Sequence, residues 1–298
     1  VNPSERRFLE TGKPEGLTCI HALGIGDRES RGMNRFAHEG MVRRVIGGHW
    51  VWSPRMQQLA RENKIEAYVL PGGVIMQLMR EVAAKRPGLI THVGLGTFVD
   101  PQKDGGRMNE AAQDPLVERI TIDGQQYLRY IPLPVDVALL KGSTADEDGN
   151  ISLEEEPANL DIYAMAAAAH NSGGKVIFQV RRKVPRGKLS ARSVRIPSAI
   201  VDVVVVDPDQ RQSYEIVYDP SISGEQRDDQ LNLVAPDFSL RLAIARRAKT
   251  ELREGDVINF GFGIPDQIAS MLAAEGTDER YYQTIAVSYT HLRAHETG

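Results

Sequence analysis

The sequence has one cysteine, Cys19, in 298 residues. A single thiol excludes an intrachain disulfide and a zinc site built from several cysteines. No apolar run approaches the roughly 18 residues that a membrane-spanning helix needs, and the first residues lack the apolar stretch of a signal peptide. We therefore expect a soluble protein of the reducing cytoplasm, without a metal site.

The sequence also lacks an excess of positive charge, since 36 Lys and Arg against 40 Asp and Glu give a formal net charge of -4. Such a chain has no broad basic surface to attract nucleic acid or an anionic membrane, and we expect neither as a partner. The run Arg181-Arg182-Lys183, with Arg186 and Lys188 nearby, is a local exception. It is either a solvated strand end and loop or a dock for the phosphates of a bound cofactor.

Apolar runs alternate with helical patterns along the chain, which is typical of an α/β fold with open, mostly parallel sheets and helices on both faces. The run Val203–Val206 is apolar at every position, as expected of a parallel strand buried on both faces. The predicted strands are 17–23, 66–70, 89–93, 135–140, 175–180, 201–206 and 257–260, and the predicted helices are 53–63, 74–85 and 160–170.

One pair of residues predicts a departure from the parallel pattern. Asp123-Gly124 separates the apolar runs 117–122 and 125–131. An Asp-Gly pair between two such runs is a strong signal for a two-residue hairpin. We therefore predict an antiparallel hairpin inserted into the mostly parallel fold.

Composition divides the chain into segments. We predict a first domain over 1–225, a polar linker over 226–237, and the truncated start of a second α/β domain over 238–286. Within that second segment Leu240, Ile244, Ala248 and Leu252 repeat every four residues, as on one face of a helix. The residue pattern of 287–298 is unlike that of the preceding chain. We therefore expect these residues to be a non-native tail on a piece of a longer protein.

Three predicted strands run directly into a Gly-x-Gly loop. In open α/β sheets ligands bind beyond the carboxyl ends of the strands, where glycine allows tight turns and close backbone approach. We therefore predict that the three loops form one ligand site, or else that they are bare structural turns. The candidate residues are Gly24, Gly26, Gly94, Gly96, Thr97, Gly261 and Gly263.

The third loop carries a further signal, because Pro265 suits the first position of a helix and Asp266 the first turn. Backbone N–H groups at such a helix start can hold an anion or an oxyanion. None of the three loops completes the dinucleotide pattern Gly-x-Gly-x-x-Gly or a Gly-Lys-Ser/Thr phosphate loop. Hydride transfer and phosphoryl transfer therefore lose support.

Several short motifs are more specific together than any one alone. They are Gly94-Leu-Gly-Thr-Phe-Val-Asp-Pro101, Gly105-Gly-Arg-Met-Asn109, Asp148-Gly-Asn150, Val194-Arg-Ile-Pro197 and Val206-Asp-Pro208, with Gly48-His-Trp50, Ser53-Pro-Arg55 and Gly261-Phe-Gly-Ile-Pro265. Over residues 16–285 the chain resembles the acetate or propionate CoA-transferase family, the glutamate-dependent family I.

The resemblance implies a two-domain α/β enzyme, often a homo-oligomer, that moves coenzyme A between short-chain acyl-CoA and carboxylic acids. Coenzyme A is then a substrate, and no cofactor is permanently bound. In this family a glutamate attacks the acyl thioester to give an anhydride, and the CoA thiolate then forms a glutamyl-CoA thioester. A carboxylate is already ionised at neutral pH, and covalent catalysis divides one hard acyl transfer into easier steps.

The sequence departs from the family pattern at the positions expected to do the chemistry. The family spacing places the glutamate at Ala286, and Glu296, ten positions later, matches the Glu-x-Gly pattern by coincidence. The family's first glycine-rich oxyanion loop would lie before Val1, and Gly72 replaces the glutamine of its Pro-Gln-Gly. We therefore expect this chain to be inactive as a fragment.

Alternatives stay open. The first is a non-catalytic module on the same fold that binds CoA or another effector. A second, a sugar-phosphate isomerase on a related scaffold, lacks an evident acid-base pair. His291 and His295 have a spacing that zinc can use but no convincing third ligand, and His49 is interpreted as a packed structural residue. Glu154, Glu155 and Glu156 are interpreted as a solvated charge run.

Overall fold

A computed structural model describes residues 3–213, 216–226, 237–261 and 263–285. The chain divides into two compact units, Val1–Val217 and Tyr218–Gly298, and each is described by itself. The predicted linker over 226–237 lies almost entirely outside the described residues, as do position 286 and the predicted tail over 287–298. The predicted domain boundaries therefore stay predictions.

The described part of the first unit holds the following elements. Its strands are β1 Leu17–His21, β2 Val42–Gly47, β3 Glu66–Val69, β4 Leu89–Thr91, β5 Val117–Ile122, β6 Gln125–Tyr130, β7 Val137–Lys141, β8 Thr144–Asp146, β9 Ile151–Ser152, β10 Lys175–Val180, β11 Arg182–Val184, β12 Val194–Ile196 and β13 Val203–Val206. Its helices are α1 Pro3–Thr11, α2 Pro54–Arg61, α3 Gly72–Ala83 and α4 Ile162–Asn171.

The first parallel sheet has the order β1-β2-β3. Along β2, Ile46 packs in a core cluster with Ile75 and Leu78 of α3, whereas Val45 packs in another cluster with Met56 of α2. Successive residues of a strand point to opposite faces, so this sheet carries a helix on each face. The predicted α/β architecture is confirmed here.

Strand β2 was not among the predicted strands, because Arg43 and Arg44 interrupt its apolar pattern. The Arg44 side chain is nonetheless buried and forms ion pairs with Glu66 of the neighbouring strand β3 and with Asp114. The Arg44 Nε atom lies 2.5 Å from a Glu66 carboxylate oxygen. A buried charge needs such partners, and they lie far away in the sequence, so the local pattern does not reveal this strand.

A second sheet is antiparallel, with the order β4-β6-β5. Strands β5 and β6 form the predicted hairpin, and its turn residues Asp123 and Gly124 have φ angles of 51° and 79°. Two positive φ values are what a two-residue hairpin turn of the favoured type requires. The hairpin prediction is confirmed. The antiparallel pairing also includes β4, which was expected to belong to a parallel sheet.

A second parallel sheet has the order β7-β10-β13. One face is covered by α4 through Phe178, Ile162 and Ala166. The expectation that Val203–Val206 is buried on both faces is wrong. Within the described residues β13 pairs only with β10, and Val203 and Val205 are exposed on the outer face together with Leu139 of β7.

A mixed sheet, order β11-β8-β9-β12, lies beside a cluster of charges that the sequence did not predict. Glu154, Glu155 and Glu156 are not a solvated run: Arg182 pairs with the first two, Arg181 also pairs with Glu155, and Lys141 pairs with Glu156 at 2.9 Å. Burial raises the pKa of Glu156, and Lys141 partly offsets that rise. The Arg181-Arg182 part of the basic run is therefore largely neutralised by acidic side chains.

The described part of the second unit contains α5 Leu240–Lys249, β14 Val257–Phe260, α6 Asp266–Ala274 and β15 Tyr282–Ile285. Strands β14 and β15 pair in parallel. The small core of this unit includes Leu242, Phe260 and Leu272. The predicted apolar face of α5 is therefore misplaced, because Leu240 and Ile244 are exposed whereas Leu242 is buried. No helix in the described residues of either unit is long and apolar enough to cross a membrane.

Candidate functional site

Three loops meet where the strands of the first parallel sheet end: Ala22 follows β1, Gly48 follows β2, and Gly72 opens α3 after β3. A β-carbon on Gly48 would clash with the Ala22 carbonyl oxygen, at a distance well under 3.0 Å, and would lie 2.8 Å from the Gly72 α-carbon. One on Gly72 would lie 2.8 Å from the same carbonyl oxygen. We call Ala22, Gly48 and Gly72 the three-loop contact, and glycine permits it because it has no β-carbon.

The parallel pairing continues into these loops. The Gly48 N–H donates to the His21 carbonyl at 2.9 Å, and the Leu70 N–H donates to the Gly47 carbonyl at 3.3 Å. The loops are therefore fixed by the sheet itself. Because open α/β sheets bind ligands beyond the carboxyl ends of parallel strands, this edge is the candidate site of the first unit.

Gly24 and Gly26 lie at this edge, as predicted, in the segment that follows β1. A β-carbon on Gly24 would lie 2.7 Å from the His49 Nδ1 atom and closer still to the Trp52 ring. Gly26 forms an isolated antiparallel bridge with Gly32. This loop therefore folds against the residues that follow β2, and Gly24 is needed for close packing whether or not a ligand binds.

Asp27 fixes the turn after Gly26. One of its carboxylate oxygens accepts hydrogen bonds from the backbone N–H groups of Glu29, Ser30 and Arg31 at 2.9, 2.7 and 2.8 Å. Burial alone would raise the pKa of Asp27, but these hydrogen bonds outweigh it and lower the pKa. This Asp27 oxygen therefore holds the loop in place.

The loop containing Gly94, Gly96 and Thr97 is placed differently. It follows β4, which was expected to be a parallel strand but pairs antiparallel with β6. The argument from the ends of parallel strands therefore does not apply to this loop, and a site shared with Gly24 and Gly26 stays a prediction. The Gly96 N–H donates to Asp100 at 2.7 Å, and the Thr97 hydroxyl donates to the Gly94 carbonyl at 2.7 Å. These groups serve the loop in this structure, and binding of CoA by the loop stays a prediction.

Asp100 holds that loop in place through its hydrogen bonds. Its fully buried carboxylate accepts two hydrogen bonds from Arg119, at 2.8 and 2.6 Å, besides the one from Gly96. The Arg119 guanidinium, aided by backbone N–H groups, holds the pKa of Asp100 far below its usual value despite burial. Further along, Gly106 contacts the end of β3, where the Val69 N–H donates to its carbonyl at 2.8 Å.

The Gly261 and Gly263 loop belongs to the second unit. Strand β14 ends at Phe260, directly before Gly261, and α6 begins at Asp266 with Pro265 immediately before it. Helix boundaries vary by a residue with the criterion, so the predicted start at Pro265 agrees with the structure. Gly263 has a φ of 113°, and a β-carbon there would lie 3.5 Å from an Arg241 guanidinium nitrogen. Phe262 lies outside the described residues.

The positions considered for the nucleophile, Ala286 and Glu296, lie outside the described residues. The pair with zinc spacing, His291 and His295, lies outside them as well. Among the residues that the structure does describe, no group of three or more His, Cys, Asp and Glu side chains is arranged to hold a metal ion. The candidate site is therefore defined by its backbone geometry.

Sequence reasoning missed the two glycines that complete this site. Gly48 was noted only as part of a motif, and Gly72 only as a departure from the family pattern. The signal for Gly48 was its position after the run 42–47, which was hidden by Arg43 and Arg44. The signal for Gly72 was that it follows the apolar run of β3 directly after Pro71.

The fold and the strand-end loops together define an α/β protein whose candidate ligand site is formed by glycine-containing loops. The family model described as Coenzyme A transferase matches residues 9–207. The chain belongs to the coenzyme A transferase family.

Individual relatives are similar over nearly the whole chain. The acetate CoA-transferase YdiF of Escherichia coli strain K12 is 41% identical over 281 residues, which are 94% of this chain and 53% of that protein. The caffeate CoA-transferase of Acetobacterium woodii is 42% identical over 94% of this chain and 54% of its own length. The chain thus spans about half the length of the curated relatives it matches.

Solved structures agree. The YdiF acyl-CoA transferase of Escherichia coli O157:H7, solved as a thioester complex with CoA, superposes with a TM-score of 0.87 at 40% identity, over 94% of this chain and 56% of that chain. Glutaconate coenzyme A-transferase from Acidaminococcus fermentans has a TM-score of 0.54 at 17% identity, which supports the fold alone.

Proposed function

We propose that the protein to which this chain belongs transfers coenzyme A between a short-chain acyl-CoA and a carboxylic acid through a glutamyl-CoA thioester. The observation that carries the proposal is the 41–42% identity to an acetate and a caffeate CoA-transferase over 94% of the chain. The thioester complex with CoA of the structural neighbour supports a covalent route.

The glycine loops have a physical role in such a reaction. Each acyl transfer passes through a tetrahedral intermediate with a negative oxygen, and backbone N–H donors that stabilise it contribute roughly a hundred- to a thousandfold each. Loops fixed by the sheet can hold such donors without reorganisation, although the Gly48 N–H itself already donates to the His21 carbonyl. We therefore propose that Gly24, Gly26, Gly48 and Gly72 line the path of the thioester in the first unit. For the second unit, taken by itself, we propose that the Gly261 and Gly263 loop supplies backbone donors.

The nucleophile of the proposed reaction is a glutamate, expected at position 286, where this sequence has Ala286. Alanine cannot form an anhydride with the acyl group. We therefore propose that the 298-residue chain is inactive, and that the complete protein carries the glutamate, forms a homo-oligomer and works in the cytoplasm.

The test compares the 298-residue chain with the complete gene product, both assayed for CoA transfer from acetyl-CoA to propionate. The complete protein, if it has glutamate at position 286, should turn over with ping-pong kinetics and should gain a CoA-sized mass adduct with acyl-CoA alone. Addition of acetate or reduction with borohydride should remove the adduct. Replacing that glutamate by alanine should abolish the adduct and the turnover together.

The opposite outcomes are also informative. Transfer by the 298-residue chain itself would refute the placement of the nucleophile, and Glu296 would then be the first residue to replace. A complete protein that binds CoA tightly but neither turns over nor forms an adduct would be the non-catalytic module considered above.

A further inference from the structure

Arg28 lies in the loop that follows β1, at the edge of the first parallel sheet where the candidate site lies. This loop packs on Trp52: the Trp52 ring fills the space where a β-carbon of Gly24 would lie, and the Arg28 N–H donates to the Trp52 carbonyl at 3.1 Å. The Arg28 guanidinium carbon lies 4.4 Å from the centroid of the same ring. The guanidinium is therefore within about 10 Å of the Gly24 backbone.

The Arg28 guanidinium is held in place but has no acidic partner. Its side chain is exposed, and among the described residues it makes no ion pair and no hydrogen bond besides the stacking on Trp52. The adjacent carboxylate, Asp27, lies 3.8 Å from Arg31 Nε instead. A guanidinium stacked on an aromatic ring keeps its N–H donors free in a planar fork, which matches the oxygens of a carboxylate or a phosphate.

The backbone at Arg28 is strained. Its φ angle is 65°, in the left-handed region, where a residue with a β-carbon is disfavoured and glycine is not. The same loop has glycine at Gly24, Gly26 and Gly32, yet it has arginine at the left-handed position 28. Strained residues are concentrated at binding and catalytic sites. The conformation therefore points to a function of the Arg28 side chain.

We propose that Arg28 binds an anionic group of a substrate at this edge, while the Trp52 ring holds its guanidinium in place. The group is the carboxylate of the acid or a phosphate of coenzyme A, since a guanidinium recognises both in the same way. The choice of these two ligands rests on the proposed CoA transfer. The anion site itself rests on the stacking, the free donors and the strained backbone.

The test compares binding by the native 298-residue chain and by Arg28→Gln. The probes are coenzyme A, acetate, and pantetheine, which lacks the phosphates of coenzyme A, and the NMR signal of the Trp52 indole follows each titration. Arg28→Gln should weaken the binding of an anionic probe about tenfold, as the loss of hydrogen bonds to a charged group does. Weaker binding of coenzyme A but not of pantetheine assigns the group to a phosphate, and weaker binding of acetate assigns it to a carboxylate.

Two further variants separate binding from stability. Arg31→Gln is the matched control, because Arg31 lies in the same loop but already pairs with Asp27, and it should leave all three affinities unchanged. Arg28→Gly removes the guanidinium and relieves the strained backbone together. It should lose the anion as Arg28→Gln does, yet unfold at about the same urea concentration as the native chain. A purely structural Arg28 predicts the reverse, a loss of stability with unchanged affinities.

The proposal is overturned if the native chain binds neither coenzyme A nor acetate, or if Arg28→Gln binds both as tightly as the native chain does. These outcomes are distinct from a failure of the proposed CoA transfer. Binding that depends on Arg28, beside a complete protein without turnover, would keep the anion site and refute the transfer. Turnover by a complete protein whose affinities do not depend on Arg28 would do the opposite.

Discussion

The three-loop contact makes a sharp prediction about Gly48→Ala. The added methyl group would meet the Ala22 carbonyl and the Gly72 α-carbon, which are both backbone atoms and cannot rotate away. Overpacking of this kind costs about 1–3 kcal/mol, and the rigidity of both neighbours favours the upper end. With a urea dependence of roughly 3 kcal/mol per molar for a unit of this size, the midpoint should fall by about 1 M.

Tryptophan fluorescence is a suitable signal, because both tryptophans of the chain, Trp50 and Trp52, lie in the loop that follows β2. Gly73→Ala is the matched control. Gly73 lies in the first turn of α3, and a β-carbon there would have no neighbour within 4 Å. Because alanine favours a helix over glycine by up to about 1 kcal/mol, this variant should unfold at the same urea concentration as the native chain or higher.

A Gly48→Ala protein as stable as the native chain would refute the contact, because no small movement relieves two backbone clashes at once. Equal destabilisation by Gly48→Ala and Gly73→Ala would refute it as well, since the argument requires the effect to depend on the neighbours of the glycine. The absolute change in free energy matters less than the difference between the two variants.

Two further predictions concern ionisable groups that the fold removes from water, Asp100 fully and Cys19 in part. Asp100→Asn should destabilise the first unit by about 2 kcal/mol, because it removes the charged acceptor of two hydrogen bonds from the partly exposed Arg119. Because the folded pKa of Asp100 is depressed, this loss of stability should be constant above about pH 5 and should shrink as the pH falls below about 4, measured by urea unfolding. Cys19 is partly buried against a core cluster, and the desolvation raises its pKa to about 11. A disulfide reagent at pH 8 should therefore modify it at least tens of times more slowly in the folded chain than in urea, and equal rates would contradict the raised pKa.

Much of the first unit could be predicted from sequence, because its strong signals are local. The Asp123-Gly124 pair and the alternation of apolar runs with helices do not depend on distant residues. Strands β8 Thr144–Asp146 and β11 Arg182–Val184 were not predictable in this way. They are three residues long and carry charged side chains, and the acidic partners of Arg182 lie nearly thirty residues earlier in the chain.

Burial was harder to predict than strand type. Val203–Val206 has the composition of a central strand and does pair in parallel, but its position at the edge of the β7-β10-β13 order leaves half of its side chains on an open face. Composition reports what a strand can bury, whereas strand order decides what it does bury. The order of the strands in a sheet is set by the crossover connections of the whole unit, so the sequence of one strand does not reveal it.

The same distinction explains the candidate site. Gly24-x-Gly26 and Gly94-x-Gly96 are identical local patterns, yet the first follows a parallel strand and packs on the loop after β2, whereas the second follows an antiparallel strand and closes on Asp100. A glycine marks close approach of backbones without saying which backbones approach. The partners of Gly48 become known only when β1, β2 and β3 are neighbours in order, because their loops then leave the sheet side by side. A Gly-x-Gly loop therefore indicates a ligand site only together with the pairing of the strand before it.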